Sequence, residues 1–257
     1  MADTSETTNR DALYHLIARL ADNKNYLGRN YAEWSSGAPT LESAVAAAAM
    51  AQDELGHARA LYPFLKAINP DAGPESAPET RAQYLRLSIL DQPFPDWLSF
   101  VVANVLTDNA LTTIFAAAQN SSYEPLAGRA RKVLQEEALH TTHGAAWVRR
   151  LAREPGQMRD AFIARLRENW AETLCWFGPS PTRRAPDPLS AGAILDADPD
   201  ALRGRFLMVI VPQLSAAGIE LPARAARGGY VLTEALPWDR WDATTYRLRP
   251  AETKVSA

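Results

Sequence analysis

Two short strings decide the fold: Gln52-Asp53-Glu54-Leu55-Gly56-His57 and Glu136-Glu137-Ala138-Leu139-His140. Each holds a Glu and a His three residues apart, the spacing that sets two side chains next to each other on one face of a helix. Read outward, both strings lie on apolar stripes. The first runs Ala47, Met50, Glu54, His57, Leu61, and the second Val133, Glu137, His140, Gly144, Trp147. A carboxylate and an imidazole in the middle of such a stripe are directed into the interior, where an unpaired charge is costly. Two facing Glu-x-x-His pairs on two helices make a nitrogen and oxygen donor set suited to a hard metal ion. A third mid-stripe acid, Asp108, lies among Leu98, Val101, Val105, Thr112 and Phe115. Three buried acids imply a compensating cation.

The chain around these strings reads as helices. Leu13, Ile17, Leu20, Leu27 and Tyr31 recur at three- and four-residue steps from Asp11 to Ser35, predicting a first amphipathic helix. Thr40 caps a second, Ala-rich helix reaching about Lys66. Asn69 to Pro78 is a proline-rich connection, followed by an expected short helix around Ala82–Leu90. Asp96 caps a third helix, about Trp97–Gln119, and Leu126–Leu151 forms a fourth. Two antiparallel pairs joined by a long link make a ferritin-like four-helix bundle, with its core at about 11–152. Further helices are expected at Met158–Phe177 and about Asp200–Ala216. Strand signals are poor throughout and the tail to Ala257 has no clear period. The expectation is an all-α chain, one ferritin-like domain over 1–257 with a C-terminal helical extension at about 157–257.

Composition removes several function classes. Of 257 residues, 47% are hydrophobic and 22% charged, with a net charge of −3, so there is no general attraction for nucleic acid or anionic lipid. The longest apolar runs, around Ala44–Ala51 and Phe206–Val211, fall short of the ~18 residues that span a bilayer, so no membrane partner is expected. The single cysteine, Cys175, forms no thiolate cluster, and Met1–Asp11 lacks the apolar core of a signal peptide, which makes a cytoplasmic location the expectation. Trp170, Trp176 and Phe177, with Trp238 and Trp241, are more aromatic surface than a four-helix core needs. A dimer, with itself or with a related chain, is expected on that ground.

Tyr26-Leu27-Gly28, Ala38-Pro39-Thr40-Leu41, the two Glu-x-x-His strings, Leu90-Asp91-Gln92-Pro93 and Thr107-Asp108 resemble the ferritin-like subunits of the phenylacetyl-CoA epoxidase family over about Leu13–Leu151. Gly218-Ile219-Glu220-Leu221-Pro222 and Arg227-Gly228-Gly229 more weakly resemble the C-terminal end of that family's structural subunit. The resemblance implies a catalytic subunit that activates dioxygen on a di-iron centre, and a structural subunit that keeps the bundle and lacks most ligands. It implies iron held by Glu54, His57, Asp108, Glu137 and His140, an aryl-CoA or other small organic substrate, and pairing with a related ferritin-like chain. A separate reductase would supply electrons, since neither a Gly-rich dinucleotide fingerprint nor a Cys cluster occurs. The C-terminal extension argues against iron storage.

One position departs from the family. The ligand carboxylate expected on the first helix is replaced by Lys24, which periodicity independently sets in the stripe between Leu20 and Leu27. Glu33 falls on the opposite helix face, and Asp22 is two residues off the stripe. Three carboxylates and one ammonium sum to −2, the charge balanced by one divalent ion, so charge favours one iron over two. Three outcomes stay open for Lys24: compensation of the acids, an excursion to solvent with two metals bound, or a neutral amine with a catalytic role. Asp53 and Glu136, each preceding a ligand Glu, could accept the free imidazole N–H of the opposite hairpin's histidine, Asp53 from His140 and Glu136 from His57, or stand exposed as ordinary surface acids.

Overall fold

The computed structural model of the chain describes residues 2–70, 84–153 and 156–251. Four long helices form the ferritin-like bundle: α1 (Ala2–Glu33), α2 (Leu41–Ile68), α3 (Trp97–Ala117) and α4 (Glu124–Arg153). α1 packs along α2 and α3 against α4, while α2 meets α4 across the centre. The caps are those the sequence suggests. Thr40 accepts from Ser43 N–H and Asp96 from Ser99 N–H, each satisfying a donor the helix leaves open. α1 begins nine residues earlier than its apolar stripe predicts.

Gly28 sets how closely the first pair packs. A Cβ there would lie 2.8 Å from Leu55 Cγ and 2.9 Å from Glu54 Cβ, so only hydrogen allows α1 to approach α2 at this level. Gly144 does the same between α4 and α3, where a Cβ would sit 2.5 Å from Asn104 Oδ1.

α3 is long and apolar enough to cross a membrane by length and composition, which the shorter apolar runs singled out in the sequence do not suggest. Its candidate window is 89% buried inside the protein, as befits the central helix of the bundle. It is also not uniform. Asn104–Asp108 is wound as a π-turn between α-helical flanks. Such a turn leaves carbonyls without their usual partner, and Asn109 Nδ2 donates to the oxygens of Asn104 and Val105 at 3.2 and 3.0 Å.

The expected helix around Ala82–Leu90 is replaced, over its described part, by an extended strap at 84–87 and a single 3₁₀ turn, Ser88–Leu90. Residues 82 and 83 lie outside the described residues. Buried side chains of α1 take the strap's backbone groups: Asp22 Oδ2 accepts from Leu85 N–H, and Asn23 accepts from Leu87 N–H while donating to Leu85 O. Hydrogen bonds across to α1 thus replace those a helix would make internally.

Beyond the bundle, α5 (Gln157–Cys175) packs on α3, a short α6 (Pro188–Ala191) touches α1, and α7 (Pro199–Ser215) lies on α3 and α4. The tail, which has no clear period in the sequence, forms two short hairpins rather than further helix. β1 (Ala223–Ala226) pairs antiparallel with β2 (Gly229–Leu232) around Arg227 and Gly228, and β3 (Trp241–Asp242) pairs with β4 (Arg247–Leu248). Gly228 takes a φ of +85°, which supplies the reversal. The aromatic residues Trp170, Trp176 and Phe177 are buried within the chain, where the added helices cover them. They are therefore not the exposed surface from which a dimer was expected.

Substituting Gly28 by Ala forces α1 and α2 apart beside Glu54. A loss of about 1–3 kcal/mol is expected, read as a lower urea midpoint at unchanged slope.

Candidate metal centre

Each bundle helix contributes to one buried polar cluster: Lys24 from α1, Glu54 and His57 from α2, Asp108 from α3, and Glu137 and His140 from α4. Lys24 has no exposure to solvent. Its ammonium lies 2.8 Å from Glu54 Oε1, 3.0 Å from Asp108 Oδ1 and 2.6 Å from Glu137 Oε1, so all three donors are used, one on each acid. Burial alone would favour the neutral amine. Asp108, Glu137 and Glu54 outweigh it and hold Lys24 well above its ordinary value. Lys24 does not turn out to solvent, and its three acid partners favour the ammonium.

Asp108 lies deepest in this charge balance. Burial opposes its ionisation, but Lys24 and the imidazole of His140 overcome that and keep it a carboxylate well below the usual range. The His140 ring is pulled down by burial, but Asp108, Glu54 and Glu137 together outweigh it and push it up to about 11. As an imidazolium it donates from Nδ1 to Asp108 Oδ2 at 3.0 Å, with Glu54 Oε1 3.2 Å away. Its Nε2 reaches Asp53 Oδ2 at 3.4 Å. Glu54 and Glu137 are both raised, first by burial and then by Asp108. Two cations against three acids leave the cluster one proton from neutrality, and these two glutamates are where it would reside.

His57 behaves oppositely. Burial, with the charges of Lys24 and His140, pushes it down to about 3, so the ring is neutral. Nε2 lies 2.6 Å from Glu136 Oε2, and since a carboxylate can only accept, the ring proton is on Nε2. Nδ1 is left facing Glu137 Oε1 at 3.5 Å without a hydrogen-bond partner. The structure thus sets Asp53 beside His140 and Glu136 beside His57. Glu33 is exposed, and Asp22, though buried, accepts from Tyr62 Oη and Leu85 N–H away from the cluster.

Three supporting residues escape a search for ligands. Asn104 Nδ2 donates to Asp108 Oδ2, Thr112 Oγ1 lies 2.9 Å from the Asp108 carbonyl and 3.1 Å from Glu137 Oε2, and buried Tyr31 has its phenol pushed well up by its own burial and by Asp108, Glu54 and Glu137. Asn104, Asp108 and Thr112 follow at four-residue steps along α3. The signal was present in the polar Asn104 within an otherwise apolar run.

Atoms of Glu54, Asp108, Glu137 and His140 all lie within 4.8 Å of one another, a set that could hold a metal ion. His57 stands outside that group, turned to Glu136. A family model described as phenylacetic acid catabolic protein matches residues 1–231. The chain belongs to that family. A relative, one of the subunits of 1,2-phenylacetyl-CoA epoxidase from Escherichia coli (strain K12), is 26% identical over 135 residues, 52% of this chain and 54% of the relative. The match thus spans about half the length of that curated relative. A dinuclear centre does not fit this donor set as it stands. Lys24 takes one oxygen of each of the three acids, and two divalent ions beside an ammonium would leave the three carboxylates outweighed.

Replacing Lys24 by Met leaves three buried acids without their ammonium and is expected to cost about 3–5 kcal/mol at neutral pH. Glu54 and Glu137, already raised in the folded protein, then take up protons before the unfolded chain does. Stability of the variant should therefore recover as pH falls from neutrality towards the ordinary carboxylate range, measured by urea melts across pH. His140 acts with the same sign at higher pH. Its contribution is complete below its ordinary value of 6.5 and is lost as pH rises towards about 11, so His140→Gln should flatten the alkaline decline in stability.

Proposed function

We propose that this chain is a subunit of a multicomponent, O2-dependent oxygenase acting on an aryl-CoA thioester, and that it serves as the structural partner of a ferritin-like chain holding the iron. The observation that carries this reading is the Lys24 ammonium bonded to all three acids of the cluster. A fixed internal cation stands among the carboxylates that would otherwise bind metal, and His140 adds a second positive charge beside it. The relative's name as an epoxidase subunit supports the partnership and the substrate class. A cytoplasmic complex with a separate reductase completes the proposal.

A second reading is favoured by the same donor set. Glu54 Oε2 and His57 Nδ1 are buried without partners, and with Lys24 withdrawn, Glu54, Asp108, Glu137 and His140 could hold one iron. Iron there would supply dioxygen activation. In that case Asp53 would orient His140, and Thr112 and Asn104 would orient Glu137 and Asp108.

Anaerobic loading with Fe(II), followed by elemental analysis, separates the two readings. The structural reading expects well under one iron per chain in the wild type, and more in Lys24→Glu, which restores a fourth carboxylate and removes the ammonium. One iron per wild-type chain, retained through gel filtration and lost in Glu137→Ala, would establish the second reading instead.

A further inference from the structure

A cleft of about 610 Å³ opens between α5 and the β3–β4 hairpin, and none of its lining residues belongs to the carboxylate cluster. Its hairpin wall carries Arg240, Arg247 and Arg249. Arg247 is already neutralised: it pairs with both oxygens of Asp91 and approaches Glu172 at 3.7 Å. The other two differ. Arg240 Nε donates to the Arg249 carbonyl at 2.8 Å, and Arg249 donates in turn to the Asp239 carbonyl at 2.7 Å. These bonds tether two guanidinium side chains to one rim through neutral acceptors, and neither has a carboxylate within ion-pair distance among the described residues. Asp242, the acid on the same hairpin, accepts from the N–H groups of Thr244 and Thr245 and feels the charge of Arg249 only from beyond ion-pair distance.

The wall is held in place rather than loosely draped. Tyr246, between the cleft residues Thr245 and Arg247, adopts a φ of +54°, a conformation that residues other than glycine rarely take. Its ring lies under the guanidinium of buried Arg19, 3.7 Å from the centroid, and beside Trp241 at 5.4 Å. The packing of Tyr246 offsets the backbone cost and fixes the direction in which the hairpin presents its arginines. Two guanidinium groups tethered to one rim offer donors to phosphate oxygens, which accept several charge-assisted hydrogen bonds at once. The cleft volume lies within the ~300–1,000 Å³ of small-molecule sites, larger than inorganic phosphate requires. Across the cleft, exposed Glu168 on α5 places a negative charge that opposes an anionic ligand.

We propose that this cleft binds a phosphorylated small molecule of nucleotide size, its phosphates on Arg240 and Arg249. Isothermal titration of the full chain at low salt, with ADP and with inorganic pyrophosphate as probes, tests it. Saturable ADP binding is expected, weakened at least about tenfold in Arg240→Ala/Arg249→Ala. Glu168→Gln, a change at an exposed site that leaves the fold intact, should tighten binding a few-fold by removing the facing negative charge. Thermal melts report whether the double variant is folded; if it is not, the response of Glu168→Gln decides. Absence of saturable binding, binding that survives the folded double variant, or indifference to Glu168→Gln overturns the proposal. Saturation by pyrophosphate but not ADP overturns the nucleotide size and supports phosphate recognition alone.

Discussion

The ammonium of Lys24 among Glu54, Asp108 and Glu137 is the interaction on which the rest of the bundle depends. It draws one group from every helix of the bundle to a single point, all with side chains at most 2% exposed. Three donors and three acceptors admit one relative register of α1, α2, α3 and α4. A slip of one residue would turn an acid into the apolar core, at the cost of an unpaired buried charge. Such a knot adds little net stability over a well-packed apolar core, because desolvating its charges consumes most of their attraction. Its effect lies in rejecting the alternative packings that the uniformly apolar stripes would tolerate.

The close helix approaches and the π-turn follow from the same requirement. Gly28 is one turn beyond Lys24 on α1, and Gly144 one turn beyond His140 on α4, so the pairs close up next to the cluster. The π-turn shifts α3 so that Asn104 and Asp108 both act there, with Asn104 donating to Asp108. The unusual backbone of α3 thus occurs where polar side chains must be aimed, and Asn109 covers the carbonyls that this leaves open.

What the sequence shows is what has a period. The four bundle helices, the inward face of Glu54 and Glu137, and the position of Lys24 in the stripe of α1 all follow from three- and four-residue recurrence. The strap at 84–87 has no period because its partners, Asp22 and Asn23, are some sixty positions earlier in the chain. The hairpins are too short to alternate visibly, although Gly228-Gly229 ahead of Tyr230-Val231-Leu232 was a turn signal of the right kind. The winding of Asn104–Asp108 was illegible for another reason: a π-turn depends on the energy of tertiary contacts and has no local propensity of its own. The charge on His140 could not be read from spacing: its imidazolium, set by Asp108 and the neighbouring acids, adds a positive charge to the count made from Lys24 and the three acids.

The Lys24 ammonium bears on how, in the scaffold reading, the bundle would fold without iron. A divalent ion has to enter after or during folding, and the donors here are enclosed on all sides by helices. An ammonium carried on α1 arrives with the chain and is present at the first moment α1 meets α2. In the scaffold reading, folding is then independent of metal supply, and the chain can be assembled before its iron-bearing partner is loaded. The geometry also explains why one side chain on α1 suffices to engage the cluster. Glu54, Asp108 and Glu137 already converge on one point, so a side chain long enough to reach it from Lys24, with three donors at its tip, meets all three without rearranging any of them.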